Sequence, residues 1–442
     1  MTRKSSMAIL FLVVLVDMIG FGIIIPFLTY MVAGLAEPGQ PIGRWVAALM
    51  AAYAGAMFLF SPFWGALSDR FGRRPVLMVG LIGNSFAFLI FGLSNSLWMA
   101  LFARLFAGMV NANISVTRAY IGDISEPHEV ARRQGILGAA FGVGFSIGPA
   151  IGGFLSAPAE WTWTSAFVGT IFETHPYLLP CLASSLLSFV GFLFATTKLE
   201  ESLPKSARKT VEKRSPVQTL KTNFTNIGKM YNRPVVSPIL WSMLFFWIGF
   251  TIMHVVLILF TMMAVSEGGF GFSEQDNGWI FTFVGIIGII TQGRLIGPLS
   301  DRFGSSTLMS SGFLICGLGL AIIPYVPPHL GLLGLLPVMG LVAFGNGLVT
   351  PSNMTLLTHV SGPKERGTVM GVSESLRALS SFAGVIIGGL VWDATVSKSG
   401  FFDFHTAFLF CGIFSLLAWI VFRFSNAFRA EDEILAAAEA SS

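Results

Sequence analysis

Eight residues of this chain occur twice, 232 positions apart, as Gly65-Ala66-Leu67-Ser68-Asp69-Arg70-Phe71-Gly72 and Gly297-Pro298-Leu299-Ser300-Asp301-Arg302-Phe303-Gly304. Seven of the eight positions are identical. Each copy follows one long apolar run and precedes another, which predicts a short charged turn between two membrane helices. A repeat at this spacing, in register with the hydropathy, predicts two homologous helical halves, the organisation of a secondary transporter.

The apolar runs decide the class. The 442 residues are 54% hydrophobic and only 11% charged, and the mean hydropathy is +0.74. A soluble domain carries about 25% charged residues, so the expected fold is all-α and polytopic. The first run, from Met7 to about Gly34, is too long for a signal-peptide core. It also contains Asp17 and Pro26, so it is expected to remain as a span. Cys181, Cys316 and Cys411 lie in separate apolar runs and fit no metal-ligand spacing, which predicts packing thiols.

Runs of about 20 residues place spans 1 to 6 near 7–34, 45–66, 76–94, 97–121, 135–157 and 178–197. Spans 7 to 12 fall near 235–263, 277–299, 308–326, 331–358, 368–392 and 403–424. The expected organisation is an N-terminal six-helix bundle (1–197), a cytoplasmic linker (198–234), a C-terminal six-helix bundle (235–424) and a cytoplasmic tail (425–442). The linker holds nine Lys or Arg, and a short interfacial helix is expected near 217–230. With both termini inside, the inner loops, linker and tails carry 21 of the 27 basic residues. The outer loops carry only Arg44 and Lys398. That bias predicts cytoplasmic N- and C-termini. It also accounts for a pI near 9.0 without any nucleic-acid partner.

In the first half the octamer extends through Arg73, Arg74 and Pro75. Gly72 permits an unusual backbone conformation and Pro75 can open the next helix. A topology signal alone would need neither Asp69 nor a second copy. The stretch resembles the signature G-x-L-x-D-R-x-G-R-[KR] of the major facilitator superfamily, and the resemblance runs through the repeat and all twelve spans. It implies two pseudo-symmetric bundles and a conformational latch made by Gly65, Asp69, Arg70, Gly72, Arg73 and Arg74. By the same resemblance Asp69 meets the cytoplasmic end of span 11, and Arg73 pairs with an acid ending span 4, here Asp123.

Span 5 contains Gly135, Gly144, Gly148, Pro149, Gly152 and Gly153. Such spacing permits close helix packing, with a kink at the proline. The full pattern also resembles the antiporter motif of drug/proton exporters. Span 11 keeps only its ends, Gly367 and Gly388-Gly389. Asp17 lies ~15 Å into span 1 at 1.5 Å per residue. An ionised carboxylate there costs roughly 2.5–3.5 kcal/mol on insertion scales, so it must face protein, be paired or be protonated. The pattern Asp17-x-x-Gly20-x-Gly22-x-x-x-Pro26 resembles the first helix of the tetracycline/proton antiporters, which implies proton coupling. A structural acid bonded to a neighbouring helix is the other reading.

Arg104 lies about 10 Å into span 4 and resembles the family's arginine thought to assist proton transfer; an arginine snorkelling outward is the alternative. Asn111 and Asn113 follow it as candidate cavity groups. Glu374 and Arg377 share one face of span 11, either as a self-neutralising pair or as coupling and substrate groups. His254 reads as a packing histidine or a cavity group. Gln292, Asn346 and Asn353 are further candidate cavity residues.

Together these readings predict proton-coupled antiport that exports small amphipathic compounds. The expected partners are a small-molecule substrate, protons and the lipid bilayer, with a monomer in a bacterial inner membrane. No cofactor is expected beyond the proton gradient, and no metal. An importer or organellar solute carrier of the same fold is opposed by the span-5 motif. A non-transporting receptor would leave Asp17 and Arg104 unexplained. No P-loop, metal-ligand cluster or nucleophile motif points to an enzyme.

The charge bias makes a direct topological prediction. An impermeant thiol reagent should label a cysteine introduced at 160–175 in intact cells, and one near 215 only after the membrane is opened. Labelling near 215 in intact cells would reverse the orientation.

Overall fold

The computed structural model describes residues 3–111, 113–126, 129–162, 164–204, 225, 228–361, 365–396 and 402–429. The linker from 205 to 224, most of the expected interfacial helix at 217–230, and the tail from 430 onward lie outside the described residues. Hydrocarbon offers the backbone no hydrogen-bond partners, so spans must satisfy their own N–H and C=O groups. The described residues accordingly form helices and no strands.

Eleven of these helices are long and apolar enough to cross a membrane, and the twelfth carries the shorter apolar segment Gly142–Leu155. The protein is thus a multi-pass, all-helical membrane protein. The spans of the first half are Arg3–Leu35, Ile42–Phe71, Arg73–Gly92, Leu97–Val110 with Asn113–Ile124, Val130–Leu155 and Leu178–Lys198. Those of the second half are Val236–Met262, Glu274–Ile290 continued by Ile296–Phe303, Ser305–Ile322, Gly331–Val360, Arg366–Thr395 and Phe404–Arg423. Cys181, Cys316 and Cys411 are buried free thiols.

The structure corrects two expectations and adds one local feature. The octamers are not turns: Gly65 to Phe71 and Gly297 to Phe303 are the closing turns of their helices. The reversal is confined to one glycine in each copy, Gly72 at φ 107° and Gly304 at φ 74°, values that L side chains rarely adopt. Span 4 leaves the helical conformation at Asn111, where ψ is 86°, and its described helices are Leu97–Val110 and Asn113–Ile124. Asn side chains compete with the helix for backbone groups, which makes Asn111 and Asn113 natural residues for such a break. Span 8 passes through a π-helical stretch, Thr291–Leu295, a feature that hydropathy does not signal.

The chain divides into two compact units, Met1–Gln218 with Phe272–Gly285, and Thr219–Gly271 with Ile286–Ser442. In the first, span 1 packs on spans 5 and 6, and span 3 on spans 6 and 4. In the second, span 7 packs on spans 11 and 12, and span 9 on spans 12 and 10. Advancing each number by six converts one set into the other, so the repeat seen in eight residues extends to the packing of each half.

Glycine makes the tightest of these contacts possible. A Cβ on Gly148 would lie 2.7 Å from the Ile19 carbonyl oxygen and 2.8 Å from the Gly22 Cα in span 1. Gly152 abuts the Ile23 backbone, and Gly153 approaches the Gly278 Cα. These obstacles are backbone, which cannot rotate away. Gly148→Ala should therefore lower thermal stability in detergent by about 1–3 kcal/mol, the cost of overpacking. Gly34→Ala, where an added Cβ meets nothing within 4 Å, should leave it unchanged or raise it.

Candidate functional site

The first unit buries a polar cluster around Asp17, which is 4% exposed. Its Oδ1 accepts from the Asn84 amide of span 3 at 2.8 Å and from the Asn113 amide of span 4 at 2.9 Å. Its Oδ2 has no hydrogen-bond partner among the described residues. Asn113 stands at the start of the second half of span 4, so the helix break delivers the second donor. Asn111, on the other side of the break, donates to the Tyr53 hydroxyl at 2.6 Å. The Arg104 guanidinium lies over the Tyr53 ring at 4.4 Å and the Phe91 ring at 5.8 Å. Stacking on two rings partly offsets the loss of hydration by an always-charged group. Among the described residues no carboxylate pairs with Arg104, and its Nε finds no acceptor.

Asp17, Asn84, Tyr53 and Arg104 line one small pocket with Phe21, Phe88 and Ala107. The free space, about 10 Å³, is on the scale of one water and far below what a drug-sized ligand needs. The pocket as it stands is therefore too small for such a ligand. Sequence reasoning had found Asp17, Arg104, Asn111 and Asn113, which the structure brings together. It missed Asn84 and Tyr53. Both are polar groups deep inside apolar runs, the same signal that had picked out Asn111.

Directly after the octamer, at the start of span 3, Arg73 forms a second cluster. Its guanidinium pairs with Asp69 and with Asp123 at 3.0 Å, and donates to Ser68 Oγ at 2.6 Å. This ties the end of span 2, the start of span 3 and the end of span 4 around one cation. Arg74 donates to the carbonyls of Ala195 and Thr196 in span 6. Glu201, at the start of the linker, accepts from the backbone N–H groups of Arg73 at 2.8 Å and Arg74 at 3.3 Å. A carboxylate at a helix start satisfies orphan donors and meets the favourable end of the dipole. Arg70 is exposed and lies over the Phe71 ring at 5.3 Å. Gly65 borders open space.

In the second unit Glu374 and Arg377 are the candidates that bond to each other among the described residues. Arg377 binds Glu374 at 2.9 Å and lies 5.4 Å over the Trp247 ring, with both ionic side chains partly exposed. The His254 ring nitrogen Nδ1 meets the Phe250 carbonyl of its own helix at 2.9 Å, the behaviour of a packing histidine. Gln292 is exposed in the π-helical stretch. The Asn353 amide reaches Ser373 Oγ only at 3.5 Å, and Asn346 Oδ1 is buried without a partner among the described residues. Ahead of spans 7 and 11, Arg233 grips Glu365 through two hydrogen bonds of 2.6 and 2.9 Å. The hydrogen bonds and charge of Arg233 hold the Glu365 carboxyl below the ordinary glutamate range.

Comparison with known proteins places this geometry. The model of the Major Facilitator Superfamily matches residues 10–385 and, in a second match, 268–439. The chain is 28% identical over 390 residues to the class B tetracycline resistance protein of Escherichia coli, covering 88% of this chain and 89% of that protein. It is 26% identical over 414 residues to multidrug resistance protein 2 of Bacillus subtilis, covering 93% and 92%. Among solved structures, the human organic anion transporter MFSD10 superposes with a TM-score of 0.65 at 21% identity, covering 96% of this chain and 100% of that one. The nucleoside transporter NupG superposes at 0.72 with 15% identity, covering 94% and 98%. The two superpositions establish a common fold, and the match along nearly the whole sequence establishes the family: the chain belongs to the Major Facilitator Superfamily.

Proposed function

We propose that this protein exports small amphipathic compounds in exchange for protons by alternating access, with Asp17 as the group that takes up and releases the proton. The observation that carries the reading is the carboxylate itself. It is buried in the middle of span 1, held by two amides on one oxygen, with the other oxygen unbonded among the described residues, and it lines a small pocket together with Arg104. Buried ionisable groups at membrane depth are expensive and mark ion pathways. The relatives named for tetracycline and multidrug resistance support export. The cation of Arg104, close to the same pocket, suits a group that helps drive the proton off. In this reading the protein works as a monomer in a bacterial inner membrane with both termini cytoplasmic, and it needs no cofactor.

A second reading concerns the cargo. Arg104 is a buried cation without a carboxylate partner among the described residues, and one structural relative is described as an organic anion transporter. An organic anion would supply the missing counter-charge in a conformation that widens this pocket, whose free space of about 10 Å³ here admits no cargo. Arg104→Lys keeps the charge and loses the planar stack, whereas Arg104→Gln loses both. Anion export retained in the first and lost in the second favours this reading.

The Arg73 cluster is proposed as the conformational latch. Removing contacts made in only one state shifts a population without unfolding the protein. Asp69→Asn and Arg73→Ala should each reduce transport severalfold in vesicles while the yield of folded protein stays near wild type. Asp301→Asn should do less, because that copy lacks the arginines. Severe loss at Asp301 with none at Asp69 would move the latch to the other half.

The coupling role has its own test. Asp17→Asn keeps the shape of the side chain and removes its titration. In proteoliposomes the variant should still bind substrate yet lose uphill transport driven by a proton gradient, and Arg104→Gln should impair the same step. Glu374→Gln serves as the control for a second titrating site. If Asp17→Asn accumulates substrate against its gradient as well as wild type, the assignment fails and Glu374 becomes the next candidate.

A further inference from the structure

The end of span 12 forms a groove that neither the proton pocket nor the Arg73 cluster uses. The helix stops at Arg423, and the N–H groups of Phe424 and Ser425 close its last turn on the carbonyls of Ile420 and Phe422, both at 3.2 Å. The chain then folds back. Ala427 is buried, and Phe428 packs edge-on against the buried Phe422 ring with centroids 5.9 Å apart. On an uninterrupted helix, residues six apart would point about 240° from one another, so Arg423 and Arg429 would lie on different faces. The reversal instead brings both to one groove of about 430 Å³, lined by Trp419, Arg423, Phe424, Ser425, Asn426 and Arg429. Among the described residues no carboxylate contributes to that lining. The Arg423 guanidinium is held over the Phe428 ring at 4.1 Å.

An apolar stripe leads directly to this groove. Leu409, Ile413, Leu416, Ile420 and Phe424 follow one another at three- or four-residue spacing and are all exposed, Phe424 by 79%. From Leu409 to Phe424 the stripe extends about 22 Å, more than the roughly 15 Å of hydrocarbon in one leaflet. A membrane-facing stripe that ends in two guanidiniums, an amide and a tryptophan matches one class of molecule in both its parts.

We infer that this groove binds an anionic phospholipid, with its phosphate on Arg423 and Arg429 and an acyl chain along the stripe of span 12. Guanidiniums suit phosphate because their N–H groups form a planar fork. The Asn426 amide offers further donors, and Trp419 sits where an indole belongs, at headgroup level. The charge bias places this end on the cytoplasmic leaflet, where anionic lipids attract basic residues. The inference is independent of the proposed exchange, since none of these residues takes part in it.

Native mass spectrometry of the full chain in detergent, titrated with phosphatidylglycerol or phosphatidylcholine, tests it. Phosphatidylglycerol should be retained preferentially and raise the melting temperature. The double variant Arg423→Ala, Arg429→Ala should weaken that retention roughly tenfold or more, the effect of two basic contacts at a lipid surface. Arg423→Lys with Arg429→Lys should keep most of it, which guards against a double alanine variant that merely folds poorly. Arg302→Ala, an exposed basic residue outside the groove, should change nothing. Equal retention of both lipids, or undiminished phosphatidylglycerol in a folded double alanine variant, would overturn the inference. Displacement of the lipid by millimolar inorganic phosphate would also overturn it, because the stripe would then add nothing. Residues 430–442 carry Glu431, Asp432 and Glu433. Lipid binding that appears only in a chain ending at Arg429 would show that the protein's own acids are the occupant.

Discussion

A carboxylate inside a membrane has to be satisfied by protein, and Asp17 dictates what the helices around it supply. Ile19, Gly22 and Ile23 give one face of span 1 to the glycines of span 5. Asp17, about 200° from Ile19 around the helix, is thereby turned toward spans 3 and 4. Gly20 shares its face, and a Cβ there would lie 3.0 Å from the Phe88 ring of span 3. Its absence lets span 3 come close enough for Asn84 to reach the carboxylate. Span 4 breaks at Asn111 and Asn113, and the released polar side chains supply the second amide and the tether to Tyr53. A break of this kind is tolerated at membrane depth where it is buried in protein. Small residues, helix break and amides therefore form one arrangement organised around a single charge.

The repeated octamer shows how duplicated sequence comes to do different work. In the first copy Ser68 Oγ receives Arg73, which also reaches Asp69 and Asp123. In the second copy Ser305 stands at the place of Arg73, and its hydroxyl meets Ser300 Oγ at 3.2 Å. A four-group ionic cluster has become a hydroxyl pair, while the glycine reversal is kept in both. The glycine reversal and the Asp-Arg pair are shared by the two halves; the arginines that follow are not. The second unit has its own ionic tie, Arg233 to Glu365, which joins the approaches to spans 7 and 11. It is bidentate but partly exposed, so its worth lies more in geometry than in stability.

Much of the fold was legible because hydropathy and length alone set a membrane span. The expected and observed limits of span 6, 178–197 against Leu178–Lys198, differ by one residue. What escaped were local departures from regularity. The break in span 4 and the π-helical stretch of span 8 lie within unbroken apolar runs, and tertiary partners decide them. The octamer read as a turn because its charges are polar, although charged side chains at a helix end can reach water or one another without ending the helix. In the site, Asp17 and Arg104 stood out by their cost. Tyr53 and Asn84 did not, because a single polar group in a span acquires meaning only when its neighbour is known. Glu201 had no signal at all, since its partners are backbone N–H groups of a helix 128 positions away in sequence.

The two halves also show where the polar cluster came to differ. Gly148 on Ile19 and Gly152 on Ile23 have counterparts in Gly384 on Ile248 and Gly388 on Ile252, which fixes a structural register between spans 1 and 7. In that register Asp17, two residues before Ile19, corresponds to Phe246, two residues before Ile248. Phe246 is fully buried, stacks on Phe250 at 5.7 Å and meets Phe313 of span 9 at 5.2 Å. Thus where span 1 meets span 3 through a carboxylate and an amide, span 7 meets span 9 through two aromatic rings. The rings require no partner and cannot titrate. The helix contacts are conserved between the halves by glycine, while the chemistry at the same place is ionic in one and apolar in the other. Glycine thus lets the two bundles pack alike at this register while a carboxylate stands there in one and a ring in the other.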